Sequence, residues 1–263
     1  MISRTALRTT PSRSCITPGA TQKSNRFISS PSVRMASTKP RHHFAPLGQP
    51  ADPSTGAQEL KGIVFDMDGT LCEPQNHMFT EMRTALSIQD SPVDILDHIY
   101  SLPASEQASA HAKIQAIERR AMHAQVPQAG LVSLLELLDR FGLRKAICTR
   151  NYETPVTHLI TTHLPSHLTP FSPIVTRAFQ PPKPSPAGIL HIAETWGAAP
   201  AQVVMVGDSV DDMAAGRGAG ALTVLVRSAG KEALEGDART DVVVGGLGEL
   251  GGLLLEGGLR GRV

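Results

Sequence analysis

Ile63-Val64-Phe65-Asp66-Met67-Asp68-Gly69-Thr70-Leu71 decides how this chain reads. An apolar run ends in a carboxylate, and a second carboxylate follows one residue later, ahead of a Gly-Thr turn. Continuous apolar runs of this kind suit strands buried on both faces of a parallel sheet. Ligands of open α/β sheets bind beyond the carboxyl ends of strands, so Asp66 and Asp68 stand where chemistry is expected. Outward from this first strand (62–65), short apolar runs recur at 145–148, 173–175, 203–206, 222–226 and 241–244. Helix-patterned segments separate them, which predicts an α/β fold with a parallel sheet flanked by helices.

The helices carry their own signals. Leu131, Leu134, Leu135, Leu138 and Phe141 form a stripe closed by Gly142. Thr154-Pro155 and Ser185-Pro186 each read as an N-cap hydroxyl followed by proline at the first helical position, the second helix ending near Trp196-Gly197. Leu247, Leu250, Leu253 and Leu254 keep helical spacing within a glycine-rich end, which predicts a frayed final helix. Between Leu71 and Val126 the strand signal disappears, and Ala110, Ile114, Ile117 and Ala121 fall on one helical face. About 55 helical residues are too many for a simple crossover. They predict a small all-helical insertion at 72–126, with the α/β core formed by 51–71 and 127–263.

Composition narrows the function. The chain has 263 residues, 25 basic and 24 acidic, for a net charge of +1. That balance hides an asymmetry: residues 1–51 hold eight basic residues and no acid, leaving a net of −7 for the remainder. An acidic main part is repelled by phosphate backbones, so nucleic acid is not an expected partner. Nor is a membrane span expected, because no run of about 18 apolar residues exists. Three cysteines give no disulfide framework. Residues 1–50, rich in Arg, Ser and Pro and free of acids, read as a disordered basic tail acting as a mitochondrial transit segment. A second start at Met35 would give a shorter cytoplasmic product.

A second strand end delivers acids in the same way: Val203-Val204-Met205-Val206-Gly207-Asp208-Ser209-Val210-Asp211-Asp212. A helix beginning near Ser209 would put Asp208 and Asp212 on one face. Clustered acids repel unless a cation neutralises them, and oxygen-only ligands of this kind suit Mg²⁺. The competing reading is that acids after strands merely cap helices. Two further strand ends add anion-binding groups. Thr149-Arg150-Asn151 offers a hydroxyl and backbone N–H groups, and Lys183 is held between prolines that fix where it points.

The order Asp66-x-Asp68-Gly69-Thr70, then Thr149, Lys183 and Gly207-Asp208-Ser209-x-x-Asp212 resembles the four motifs of the haloacid dehalogenase-like hydrolases, over about residues 61–245. The resemblance implies a Rossmann-like core with a small helical cap, as in the phosphoglycolate phosphatase-like branch. It implies that Asp66 attacks phosphorus and that Asp68 serves as acid and then base. Thr149, Arg150 and Lys183 would bind the phosphoryl group. Asp66, Asp68 (through its main-chain carbonyl) and Asp208 would hold Mg²⁺, with Asp212 supporting them. The dehalogenases of the superfamily lack the second Asp, so Asp68 favours phosphate chemistry on a small phosphorylated metabolite. A sugar-phosphate mutase would use the same acids, and a non-catalytic binding protein would keep only the fold. His77, Glu81, Arg83 and Arg119 are candidates for contacting the leaving group from the insertion.

Other signals are discounted. His158, His163 and His167 lack zinc spacing, Cys72 and Cys148 have no activating base, and Gly216–Gly220 lacks dinucleotide-binding spacing.

Overall fold

The computed structural model describes residues 42–52 and 54–262. Six parallel strands form one sheet: β1 (Gly62–Phe65), β2 (Arg144–Cys148), β3 (Ile174–Val175), β4 (Val203–Gly207), β5 (Leu222–Val226) and β6 (Val242–Val244). Their order is β3-β2-β1-β4-β5-β6. The winding reverses between β1 and β4, which are in register with Phe65 opposite Val206. This reversal opens a crevice at their carboxyl ends, the general ligand position of such sheets.

The central strands β1, β2, β4 and β5 are buried on both faces, as their apolar sequence requires, while the edge strands β3 and β6 are partly open. Ile63 and Phe65 point into one core with α4 (Leu131–Arg140) and α8 (Leu247–Glu256), while Val64 points into the other. That second core holds Ile189, Ile192 and Ala193 of α6 (Ala187–Thr195) and Ala215 and Ala219 of α7 (Val210–Ala219). The glycine-rich last helix is fully formed because Leu247, Leu250 and Leu254 are buried against the sheet.

Between β1 and β2 lie α1 (Asn76–Ala85), α2 (Ile95–Ser101), α3 (Ala104–Met122) and then α4. The first three share an apolar cluster of Met78, Met82, Leu96, Ile99, Ala110, Ile114, Ile117 and Ala121, separate from the two sheet cores. The stripe on α3 is the face that fills this cluster.

Three expectations need correction. Pro186, not Ser185, is the N-cap of α6, so the proline stands just ahead of the first helical position. Helix α5 (Glu153–His163) begins one residue before Thr154, and Tyr152 is its N-cap, without a side-chain bond. The chain enters through Asn151, whose Oδ1 accepts from Tyr152 N–H at 2.9 Å, so the lead-in sets the start. Pro155 still falls in the first turn, where a missing N–H costs nothing. The tail boundary at residue 50 also lies too late. Phe44 is 1% exposed within the first sheet core. Its N–H donates to the Leu259 carbonyl and Leu47 N–H to the Leu254 carbonyl, both at 2.8 Å. A single aromatic in a polar stretch carries no periodicity, and its burial depends on chain more than 200 residues away. The transit reading of the earlier segment falls on residues 1–41, outside the described residues.

Phe44→Ala is expected to lower unfolding free energy by about 3–5 kcal/mol, the usual loss for emptying a buried aromatic site. Urea denaturation of the full chain measures it.

Candidate active site

Asp66 directly follows β1, its N–H donating to the Val206 carbonyl at 2.9 Å. The chain then folds tightly, with the N–H groups of Thr70, Leu71 and Cys72 all donating to the Met67 carbonyl. Gly69 is the pivot, with φ +85°. A Cβ there would collide with the Asp208 carboxylate, so glycine meets both the left-handed turn and the close approach. Gly207 serves the close approach alone on the facing strand end, where a Cβ would collide with Asp212.

Ser209, not Asp208, is the N-cap of α7. Its hydroxyl accepts from Asp212 N–H at 3.3 Å, and Asp212 Oδ2 accepts from Ser209 N–H at 3.0 Å. Capping therefore fixes one oxygen of Asp212 and leaves Asp208 unused as a cap. The buried Lys183 ammonium donates to Asp66 Oδ1 at 2.6 Å and to Asp212 Oδ1. Lys231 donates to Asp208 Oδ2. Oxygens of Asp66, Asp208 and Asp212 lie within 4.8 Å of one another.

Four carboxylates (Asp66, Asp68, Asp208, Asp212) thus face two ammonium groups. Burial, reinforced by the neighbouring acids and only partly opposed by Lys183, pushes Asp66 up to about 8. Burial also raises Asp68 against the hydrogen bond from Asn151, and Asp208 against the attraction of Lys231. Burial works against the Lys183 charge, but Asp212 and Asp66 outweigh it and hold the group above the ordinary lysine range. A divalent cation among the three converging carboxylates would supply the missing positive charge, and the all-oxygen donor set fits Mg²⁺.

Above these acids lies a cavity of about 330 Å³ lined by Asp66, Asp68, Thr149, Arg150, Lys183 and Asp208, together with residues of the helical insertion. Asp212 sits behind the lining at 0% exposure. Thr149 Oγ1 accepts from Asn151 N–H at 3.1 Å, which leaves its own hydrogen to donate. Asn151 Nδ2 donates to Asp68 Oδ2 at 3.0 Å. Arg150, expected to bind phosphate, has its guanidinium paired with Asp94 at 2.6 Å and with Asp211.

A family model for haloacid dehalogenase-like hydrolases matches residues 60–220. The chain belongs to that family. It is 44% identical over 198 residues to an uncharacterised hydrolase of Saccharomyces cerevisiae, covering 74% of this chain and 91% of the relative. A hydrolase of Pseudomonas syringae has a similar fold, with a TM-score of 0.61, 22% identity and coverage of 76% and 100%. So does CbbY of Rhodobacter sphaeroides in complex with phosphate, at 0.56, 21%, 73% and 96%.

Within this hydrolase the six expected lining residues meet in one place, and Asp212 braces them. Of the four leaving-group candidates only Arg83 lines the cavity; Glu81 pairs with Arg120, and His77 and Arg119 are exposed elsewhere. Lys231 and the buried pair Glu118–Arg177 were not anticipated. Arg177 donates to both Glu118 oxygens, at 2.8 and 3.0 Å, across 59 residues of sequence, a pairing without a local signal. Asn151 sat beside the expected Thr149-Arg150 and was legible as a polar neighbour. The discounted histidines do not converge: His158 packs edge-on against His123 and His163, and His167 pairs with Glu136. Cys72 is fully buried, and burial raises its thiol well above the usual range.

The folded state binds a proton at Asp66 that the unfolded chain releases from 3.8 upward. With a chelator present, stability is therefore expected to fall as pH rises from about 4 to about 8. Thermal melts across that range check it, and Asp66→Asn is expected to flatten the slope.

Proposed function

We propose that this hydrolase is a Mg²⁺-dependent phosphatase that cleaves a small phosphomonoester by way of a phosphoryl group carried on Asp66. The observation that carries the reading is the buried set Asp66, Asp208, Asp212 and Lys183 at the floor of a cavity that also holds Asp68. Crystallisation of the Rhodobacter sphaeroides neighbour with phosphate agrees with it.

Carboxylate is a poor nucleophile toward an anionic ester, so the phosphoryl charge must be masked first. Lys183 and the hydroxyl of Thr149 are placed to do so, and their benefit grows as charge moves onto the equatorial oxygens. Mg²⁺, held by Asp66, Asp208 and the Asp68 carbonyl, would neutralise phosphoryl oxygens and orient them. An Asp66 oxygen forms a bond to phosphorus while the phosphorus–oxygen bond to the leaving group breaks. The electron pair departs with that oxygen, which takes the proton of Asp68. Burial holds Asp68 above the usual carboxylate range, which suits a proton donor, and Asn151 fixes its orientation. Water then attacks phosphorus and gives its proton to Asp68. The bond to Asp66 breaks, phosphate leaves, and both acids are restored.

Asp68→Asn is expected to lower kcat about 10²–10⁴-fold, the range for a positioned acid–base group. Asp66→Asn or a chelator is expected to abolish release, with Mg²⁺ restoring the chelated enzyme. Inorganic phosphate released from p-nitrophenyl phosphate is the readout. Full release by Asp66→Asn contradicts the assignment, as does isomerised sugar phosphate formed without release.

A further inference from the structure

The insertion closes the cavity with Met78, Phe79, Met82, Ile95, Leu96 and Ile114. Among the described lining residues every cationic side chain is already engaged. Arg83 donates to the carbonyls of Val93 and Ser91. Arg150 is shared between Asp94 and Asp211, and Arg177 is bidentate to Glu118. Lys183 and Lys231 serve the acids below. Gln75 and Asn76 supply neutral amides, and Gln75 spends its own N–H on the Ala121 carbonyl at 2.9 Å.

From this we infer that the substrate is a phosphomonoester whose leaving group is uncharged and presents an apolar face, rather than one carrying a carboxylate or a second phosphate. The inference rests on the phosphatase reading and names its substrate class. A second anion would have to be desolvated beside Asp94, Glu118 and Asp211 with no free cation to receive it. Freeing Arg177 would strand Glu118, which is 5% exposed, and freeing Arg150 would leave Asp94 and Asp211 without the cation they share. An alkyl or aryl face instead displaces water from Phe79 and the side chains behind it. One hydroxyl on that group can be met by Asn76.

The test compares butyl phosphate with 2-phosphoglycolate and fructose 1,6-bisphosphate on the full chain with Mg²⁺, all three having alcohol leaving groups. The kcat/KM for butyl phosphate is expected to exceed the others by about tenfold or more, the discrimination typical of apolar contact against an unmatched polar group. Phe79 is 45% exposed, so Phe79→Ser keeps the fold, which a thermal melt verifies. It is expected to raise KM for butyl phosphate several-fold while inhibition by inorganic phosphate stays the same. Equal or better turnover of either competitor bearing the second anionic group, or an unmoved KM in the variant, overturns the inference alone. Phosphate release from none of the three overturns the phosphatase reading together with it.

Discussion

A buried ammonium lies between two buried carboxylates where the sheet reverses its winding. Lys183, Asp66 and Asp212 come from three separate strand ends, and removing the lysine would leave two carboxylates uncompensated in the interior. Much of the local sequence follows from that constraint. Gly69 and Gly207 clear the space that Asp208 and Asp212 occupy. Ser209 takes over the capping of α7 and pins the second oxygen of Asp212. The result is a set of acids still short of positive charge, with burial raising Asp66, Asp68 and Asp208 together. A site in that state favours binding a cation and an anionic group at once, because each relieves what the other would worsen.

The helical insertion has a different task. It has its own apolar cluster, and it meets the α/β core through Glu118–Arg177 and Asp94–Arg150. These pairs spend their charges on joining the two parts. What remains toward the cavity is apolar surface and amide. Charge is thus concentrated where the strand ends bring the acids together and cancelled on the side that the insertion covers.

The core and its acids were legible in the sequence because each depends on local pattern. Unbroken apolar runs name buried parallel strands, and Asp66, Asp68, Asp208 and Asp212 follow such runs directly. Lys183 was legible through its prolines. The insertion was legible as helix, since Ala110, Ile114, Ile117 and Ala121 repeat with helical period. Its charged contacts were not, because Arg177 and Glu118 are ordinary surface types in sequence and gain their meaning only when a loop after β3 meets α3. The partners of Arg150 were not legible for the same reason, since Asp94 and Asp211 lie 56 and 61 residues away. Phe44 shows the converse, an isolated apolar residue whose partner surface is built at the far end of the chain.

The central claim is that the acid ending β1 becomes covalently loaded. Acid quench of the enzyme during turnover of p-nitrophenyl phosphate with Mg²⁺, followed by peptide mass spectrometry, tests it most directly. The account requires a phosphoryl adduct on Asp66 that decays as substrate is exhausted. An adduct on any other residue, or steady turnover with none at the earliest quench times, contradicts it.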